Sequence, residues 1–168
     1  MIIYLLGLPS SGKSTLGKKV AHAIGYEFLD LDTAIEAYSK MSIPEIFKAK
    51  GEEGFRKIEK TVLEQSSKGL RLLIATGGGA PCFYNNMEFM LNKGETIYLD
   101  ITVDEIIKRL ISVEGQEGRP LLKGKGLDDL RVELLEKKKI RDVFYKKAKH
   151  IITNDNIQVN DILRLIVK

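Results

Sequence analysis

The amino-acid sequence predicts an α/β protein with three layers, in which helices cover both faces of a five-stranded parallel sheet. Short apolar runs alternate along the chain with segments of helical apolar spacing. Runs such as "LLIAT" and "TIYLDI" are nearly continuous in apolar residues, which is typical of central parallel strands. A glycine-rich loop joins the first predicted strand to the first predicted helix.

The predicted elements follow the apolar pattern in chain order. The strands are Ile2–Leu6, Tyr26–Leu31, Leu70–Ala75, Thr96–Ile101 and His150–Thr153. The helices, in which apolar residues recur every three to four positions, are Lys13–Ile24, Thr33–Tyr38, Ile43–Ala49, Glu52–Ser67, Tyr84–Asn92, Val103–Ser112, Leu127–Lys147 and Val159–Val167. The sequence shows no repeat or interdomain linker, so we expect one domain over residues 1–168. The glycine-rich polar stretch from Ser112 to Gly126 is predicted to be a mobile lid.

Composition places the chain among cytoplasmic proteins without membrane or nucleic-acid partners. The single cysteine, Cys82, excludes an internal disulfide and suits a reducing compartment. No apolar run approaches the roughly 18 residues of a membrane span, and the N-terminal segment lacks the basic flank of a signal peptide. The net charge is +4, but the basic runs contain acidic and apolar residues at helical spacing. These runs indicate exposed helix faces rather than a nucleic-acid arm. We expect a monomer.

The stretch "GLPSSGKST" fits the phosphate-binding pattern G-x-x-x-x-G-K-[ST] and lies between a predicted strand and a predicted helix. In such a P-loop the backbone N–H groups and the helix N-terminus attract phosphate oxygens, the lysine reaches the β- and γ-phosphates, and the serine hydroxyl binds Mg²⁺. The motif predicts a nucleotide as ligand and Mg²⁺ as cofactor. Its nucleotide-binding candidates are Gly7, Pro9, Ser10, Ser11, Gly12, Lys13, Ser14 and Thr15.

Two aspartates follow the second predicted strand in "FLDLD". Asp30 and Asp32 are two positions apart, so they point the same way if the strand continues through them. Two like charges need a cation or a hydrogen-bonding substrate to offset their repulsion. The alternative for Asp32 is a helix cap, because it precedes the helical "TAIEAY".

Three consecutive glycines, Gly77, Gly78 and Gly79, follow the third predicted strand in "TGGGA". A simple turn needs one or two glycines, so three after a buried strand indicate bare backbone that a ligand approaches. Ligands of open α/β folds bind at this carboxyl edge of the sheet. A purely structural turn is the alternative.

Three arginines are candidates for binding a carboxylate and a migrating phosphoryl group: Arg56 in "GFRKIEK", Arg119 in the predicted lid, and Arg141 in "KIRDVFY". Each is a plain surface residue when considered alone. Glu59 lies three positions after Arg56, so it is predicted to hold the Arg56 guanidinium on one helix. His22 and His150 are interpreted as structural.

The sequence resembles the shikimate kinases, which belong to the P-loop nucleoside-monophosphate-kinase-like proteins. The match runs in order through "GLPSSGKST", "FLDLD", "SIPEIF", "GEEGFRKIE", "TGGGA", "GRPLL" and "RDVFYKKA". The resemblance implies transfer of the ATP γ-phosphoryl group to the 3-hydroxyl of shikimate, in the pathway to chorismate and the aromatic amino acids.

By this resemblance, the catalytic residues would be Lys13, Asp32 and Arg119. Asp32 would hold the shikimate hydroxyls and act as base or orienter, and Asp30, with Ser14, would bind Mg²⁺. The other shikimate contacts would come from Arg56, Gly77, Gly78, Gly79 and Arg141. Arg109 would stack on adenine, and Arg119 would close with the lid onto the phosphates. The last strand–helix turn, "TNDNIQ", lacks the proline of many family members, so the resemblance does not assign its adenine contacts.

Two alternatives compete with a shikimate kinase. One is a P-loop kinase of another small polyol acid such as gluconate, and the other is a non-catalytic nucleotide-binding homologue. The combination of DxD, FRxxE and GGG opposes the first, and the presence of Lys13, Asp32 and Arg119 opposes the second.

Overall fold

The computed structural model of the chain describes residues 1–114 and 126–166. Its five strands are β1 (Ile2–Leu6), β2 (Glu27–Asp30), β3 (Leu72–Ala75), β4 (Glu95–Asp100) and β5 (His150–Thr153). The described helices are α1 (Lys13–Ala23), α2 (Leu31–Ser39), α3 (Ile43–Ser66), α4 (Asn86–Lys93), α5 (Val103–Glu114), α6 (Leu127–Tyr145) and α7 (Val159–Ile166), with a 3-10 turn at Ala80–Cys82. No helix within these ranges is long and apolar enough to cross a bilayer.

The five strands form one parallel sheet in the order β2-β3-β1-β4-β5. This confirms the predicted sheet and its three-layer α/β/α arrangement. Every residue of the central strand β1 is buried, whereas the edge strands β2 and β5 are only partly covered. Because the carboxyl ends of parallel strands share one edge, the segments that follow β1, β2 and β3 meet there.

Helix α1 lies close against the sheet. Val20 and Ala21 of this helix are buried in the core, and a methyl group at Gly17 would lie 2.8 Å from the ring of Phe28. Helix α1 therefore packs on β2 and β3 with its backbone near the strand side chains, and α7 packs against α1. This packing fixes the direction in which the N-terminus of α1 points.

The strand before the two aspartates is shorter than predicted. Strand β2 ends at Asp30 and α2 begins at Leu31, so the strand does not continue through both aspartates, which was the condition for their side chains to point the same way. Asp30 Oδ1 accepts hydrogen bonds from the backbone N–H groups of Asp32 (3.1 Å) and Thr33 (3.3 Å). The helix cap is therefore Asp30, and Asp32 lies in the first turn of α2.

Other boundaries differ by local causes. The two helices predicted between residues 43 and 67 form one element, α3, which bends at Gly51, where φ is 67° and ψ is −176°. That conformation suits glycine, so the residue interrupts the helix without ending it. Helix α5 continues through Glu114, so the predicted lid, residues 112–126, begins within a helix. The rest of that segment, residues 115–125, lies outside the described residues, as does Arg119.

Candidate active site

The P-loop wraps around its own lysine at the carboxyl end of β1. Gly12, with φ of 95°, is the residue before the first turn of α1, and its left-handed conformation is one that glycine adopts without strain. The Lys13 ammonium is buried and donates to the carbonyls of Gly7 (2.9 Å) and Leu8 (2.7 Å) and to Ser11 Oγ (3.3 Å). Burial lowers the pKa of Lys13 to about 8, although the Asp32 and Asp30 carboxylates oppose this shift.

The predicted metal ligands are hydrogen-bonded to each other. Ser14 Oγ donates to Asp30 Oδ2 at 2.5 Å, next to the first turn of α1. Among the described residues, no group of three or more His, Cys, Asp or Glu side chains is arranged for a metal ion. Mg²⁺ in nucleotide sites takes only one or two protein oxygens, with phosphates and water completing its shell. A hydroxyl beside a carboxylate therefore fits a magnesium ion held mainly by a nucleotide.

The three glycines after β3 lie where side chains from four segments converge, all of them polar except that of Pro9. A methyl group at Gly77 would lie 2.8 Å from Asp32 Oδ1 and 3.1 Å from Glu59 Oε1. At Gly78 the methyl group would lie 2.8 Å from Pro9 Cδ and 2.9 Å from Arg141 Nη1, and at Gly79 it would lie 2.4 Å from Arg56 Nη2.

This convergence shows why side chains are excluded from all three glycine positions. The P-loop, α2, α3 and α6 each place a side chain at the glycine run. The phosphate loop and the pocket at the glycine run therefore lie next to each other.

Arg56, on α3, is almost fully buried. Only 8% of the residue is exposed, and its Nη1 donates to Glu59 Oε2 at 2.7 Å, as the i,i+3 spacing predicts. The guanidinium also lies 4.2 Å from the ring centroid of Phe83 and 5.0 Å from that of Phe55. A second bond, to Glu52 at 3.4 Å, is longer.

Three polar atoms at this place are buried without a hydrogen-bond partner among the described residues: Arg56 Nε, Glu59 Oε1 and Arg141 Nη1. Buried polar groups in proteins are normally paired, because an unpaired one costs about 1–3 kcal/mol. The two unpaired guanidinium donors beside bare glycine backbone indicate a site for an anionic group, and the unpaired Glu59 oxygen can accept from a hydroxyl of the same ligand.

Helix α6 positions Arg141 over the glycine run. One turn after Arg141, the hydroxyl of the buried Tyr145 donates to the carbonyl of Gly78. On the sheet side, Tyr98 donates to Asp142 at 2.7 Å, and Lys138 donates to Tyr98 at 2.8 Å. These bonds fasten α6 to β4 on both sides of Arg141.

The two acidic side chains of the site are electrostatically different from ordinary surface carboxylates. Burial, and then the neighbouring Asp30 carboxylate, raises the pKa of Asp32, while Lys13 opposes this shift. Burial likewise raises the pKa of Glu59, and Arg56 opposes it. Both groups are therefore better proton acceptors than exposed carboxylates.

Two cavities adjoin the P-loop, and neither is lined by the glycine run. One, of about 340 Å³, is lined by Gly12, Lys13, Ser14 and Thr15 together with Arg109. The other, of about 210 Å³, is lined by Ser11, Arg109 and Ile101, and by Ile157, Gln158 and Val159. Arg109 borders both cavities and donates to the carbonyl of Ser11 at 3.1 Å. The pair of cavities offers room for phosphates at the loop and for a base beyond it.

The described residues thus bring together most of the residues that the sequence predicts: the P-loop, Asp30 and Asp32, Arg56, the glycine run, Arg109 and Arg141. Sequence reasoning missed Tyr145, which bonds to Gly78, and the three residues 157–159 that line the smaller cavity. The sequence gives a weak indication of Tyr145, since this residue lies four positions after Arg141 on the same helix face. No sequence feature of the turn before α7 indicates that it binds a ligand.

The fold and the P-loop are those of a P-loop kinase, an ATP-dependent transferase. Comparison with known proteins identifies the family. A family model described as shikimate kinase matches residues 9–168. A shikimate kinase of Parabacteroides distasonis is 42% identical over 146 residues, which are 87% of this chain and 83% of that protein.

Solved structures agree with the family model. The crystal structure of shikimate kinase from Bacteroides thetaiotaomicron matches with a TM-score of 0.93 at 35% identity, over 99% of this chain and 98% of that one. Shikimate kinase from Acinetobacter baumannii in complex with shikimate matches with a TM-score of 0.83 at 35% identity, over 99% and 90% of the two chains. The chain belongs to the shikimate kinase family.

Proposed function

We propose that this chain transfers the γ-phosphoryl group of ATP to the 3-hydroxyl of shikimate, in the pathway to the aromatic amino acids. One observation carries the proposal: Gly78 lies against both Pro9 of the P-loop and Arg141. The phosphate loop and the candidate acceptor site therefore share a wall. Phosphoryl transfer depends chiefly on such positioning and on charge stabilisation.

The acceptor carboxylate is bound by Arg56 and Arg141. Both guanidiniums lie at the glycine run, and each has a buried nitrogen without a partner among the described residues. A guanidinium can donate two parallel hydrogen bonds to a carboxylate, which fixes the orientation of the ring. The backbone of Gly77, Gly78 and Gly79 then contacts the ring substituents.

Asp32 accepts a hydrogen bond from the reacting hydroxyl and orients it towards the γ-phosphoryl group. Its Oδ1 would lie 2.8 Å from a methyl group at Gly77, so it borders the same pocket. Its raised pKa brings it closer to the range in which a carboxylate can take the proton of the hydroxyl.

The nucleotide lies over the P-loop. Lys13 exchanges the carbonyls of Gly7 and Leu8 for the β- and γ-phosphates, which compensate its buried charge better than neutral carbonyls do. Arg109 contacts the adenine, and the family resemblance assigns Arg119 to the phosphates. Ser14 and, through water, Asp30 would hold Mg²⁺, which would supply positive charge beside the phosphates.

A coupled ADP-release assay tests this function. Purified protein is given ATP and Mg²⁺ with shikimate, gluconate, another small hydroxy acid or water as acceptor. We expect shikimate to stimulate ADP formation far above water and gluconate. Equal ADP release with and without shikimate would refute the proposal, and selective stimulation by gluconate would favour the other polyol-acid kinase. A cytoplasmic location and a monomeric state stay predictions.

A further inference from the structure

The turn between β5 and α7, residues 154–158, contains an aspartate with contacts unlike those of its neighbours. Asn154 and Asp161 accept local hydrogen bonds, from the backbone N–H groups of Asn156 (2.8 Å) and Gln158 (2.8 Å). Asp155 instead contacts a residue 53 positions earlier in the chain. Its role is therefore more than shaping the turn.

Both carboxylate oxygens of Asp155 bind Thr102, the residue before the first turn of α5. The Thr102 backbone N–H donates to Oδ1 at 2.8 Å, and the Thr102 hydroxyl donates to Oδ2 at 2.8 Å. These bonds hold the pKa of Asp155 below its usual range, so the group is ionised at neutral pH. The Asp155 carboxylate therefore connects the start of α5 to the turn between β5 and α7.

Arg109 closes these contacts into a ring of four residues. Its Nη2 donates to the backbone carbonyl of Asp155 at 2.5 Å, and its Nε donates to Glu105 Oε1 at 2.9 Å. The backbone N–H of Glu105 donates to Thr102 Oγ1 at 3.2 Å. Thr102, Asp155, Arg109 and Glu105 are thus linked in sequence, and we call them the Asp155 ring.

The Asp155 ring borders the smaller nucleotide cavity on two sides. That cavity is lined by Arg109, by Ile101 next to Thr102, and by Ile157, which is two residues after Asp155. The ring therefore sets the distance between the wall from α5 and the wall from the turn before α7. Arg109 also donates to the Ser11 carbonyl, so the ring is connected to the P-loop at one point.

We propose that Asp155 is a positioning residue for the nucleoside part of the nucleotide. Through Thr102 it holds the turn, and through its own carbonyl it orients Arg109, so that the cavity beyond the P-loop is formed before the base enters. This inference rests on the proposed function only in placing ATP over the P-loop. The triphosphate is held by other residues and does not depend on Asp155.

The test compares a ligand that has a nucleoside with one that has phosphates alone. Calorimetry measures the dissociation constants of ADP and of inorganic tripolyphosphate for the wild-type protein and for Asp155→Ala. We expect ADP to bind about 10-fold more weakly to the variant, the scale of a lost charge-assisted bond. Tripolyphosphate should bind within about twofold of its wild-type affinity, whereas general damage to the fold would weaken both ligands.

Asp104→Ala is the matched control. Asp104 also lies at the start of α5, but it is exposed and pairs with Arg131 at 3.1 Å rather than with Arg109. This variant loses the same charge from the same surface, so we expect it to bind ADP as the wild type does.

Thr102→Val tests the ring from its other side, because valine keeps the backbone N–H and loses the hydroxyl. We expect a smaller loss of ADP affinity than in Asp155→Ala. The double variant should lose less than the sum of the two single losses, because both changes break the contact between Thr102 and Asp155, while valine also removes the acceptor of the Glu105 N–H. Thr102→Ser keeps the hydroxyl that Thr102→Val loses, so this variant should bind ADP as the wild type does.

Two outcomes overturn the proposal: unchanged ADP affinity in Asp155→Ala, or an equal loss of ADP and tripolyphosphate affinity in folded Asp155→Ala and Thr102→Val proteins. If Asp155→Ala does not fold, the Thr102→Val and Thr102→Ser pair decides in the same way. Shikimate-dependent ADP release by the wild type is measured separately. Its absence alongside a selective loss of ADP binding in Asp155→Ala would refute the proposed function and leave this inference standing.

Discussion

A single methyl group at Gly79 should disable acceptor binding, because it occupies the place of the Arg56 guanidinium. The methyl group would lie 2.4 Å from Nη2 and 2.8 Å from Cζ and Nη1. The backbone of Gly79 has φ of −93° and ψ of −16°, which alanine adopts without strain. Gly79→Ala therefore isolates the steric effect from any effect on backbone conformation.

The size of the effect follows from how firmly Arg56 is held. Ordinary contact requires at least 3.4 Å, so the guanidinium must move by about 1 Å. It cannot do so freely, because Glu59 lies 2.7 Å from Nη1 and the ring of Phe83 lies 4.2 Å away. Displacing it breaks a charge-assisted bond to the acceptor carboxylate, worth about 1.5–3 kcal/mol. That free energy corresponds to a shikimate dissociation constant about 10- to 150-fold larger.

Calorimetric titration of shikimate into Gly79→Ala, with ADP titrated separately, measures this effect. We expect ADP affinity to change by less than about twofold. Gly69→Ala is the control, because a methyl group there meets nothing closer than the Ser66 carbonyl at 3.9 Å. Wild-type shikimate affinity in a folded Gly79→Ala protein would refute the assignment of Arg56 to the acceptor site.

Three further predictions concern charge and hydrogen bonding in the site. Asp32→Asn should lower kcat by about 100-fold or more while calorimetry finds ADP binding unchanged; near-normal kcat would exclude a catalytic role. Lys13 has a pKa of about 8, so its charged fraction falls as pH rises. Metal-free ADP binding should therefore weaken about 10-fold per pH unit above 8, and a flat profile, or the same slope in Lys13→Arg, would contradict this. Tyr145→Phe removes the donor to Gly78 and should lower the free energy of unfolding by about 1–3 kcal/mol in urea titrations; unchanged stability would contradict the bond.

The strands and helices could be predicted because the apolar patterns that indicate them are local and agree with one another. Alternating apolar runs and helical patterns gave all five strands to within two residues at either end. Strand order was not predictable from these signals, because it depends on which buried surfaces meet. The 3-10 turn at Ala80–Cys82 was also missed, since three residues are too few to show a period.

The two aspartates show that a predicted location can agree with the structure although the local backbone differs. Asp30 and Asp32 do lie at the carboxyl edge of the sheet, as predicted. The chain enters α2 one residue after Asp30, because the Asp30 carboxylate satisfies two free N–H groups of that helix. This start of α2 also places Leu31, its first residue, fully within the core, which the sequence pattern alone does not predict.

Long-range polar contacts were the least predictable part of the site. The i,i+3 pair of Arg56 and Glu59 was predicted because helical spacing brings the residues together. No spacing rule brings Asp155 to Thr102, or Tyr145 to Gly78, across 53 and 67 positions. These contacts depend on how α5, α6 and the turn before α7 pack on the sheet.

The most direct test of the account asks whether Arg141 and the acceptor carboxylate bind each other. Calorimetry compares shikimate with an analogue whose carboxylate is replaced by a hydroxymethyl group, in the wild type and in Arg141→Gln. The account predicts that losing the carboxylate weakens binding to the wild type by about 10-fold or more. It predicts a smaller loss in Arg141→Gln, because one of the two arginines that bind the carboxylate is already gone and only Arg56 remains. An equal loss in both proteins would show that Arg141 does not bind the carboxylate and would contradict the acceptor site described here.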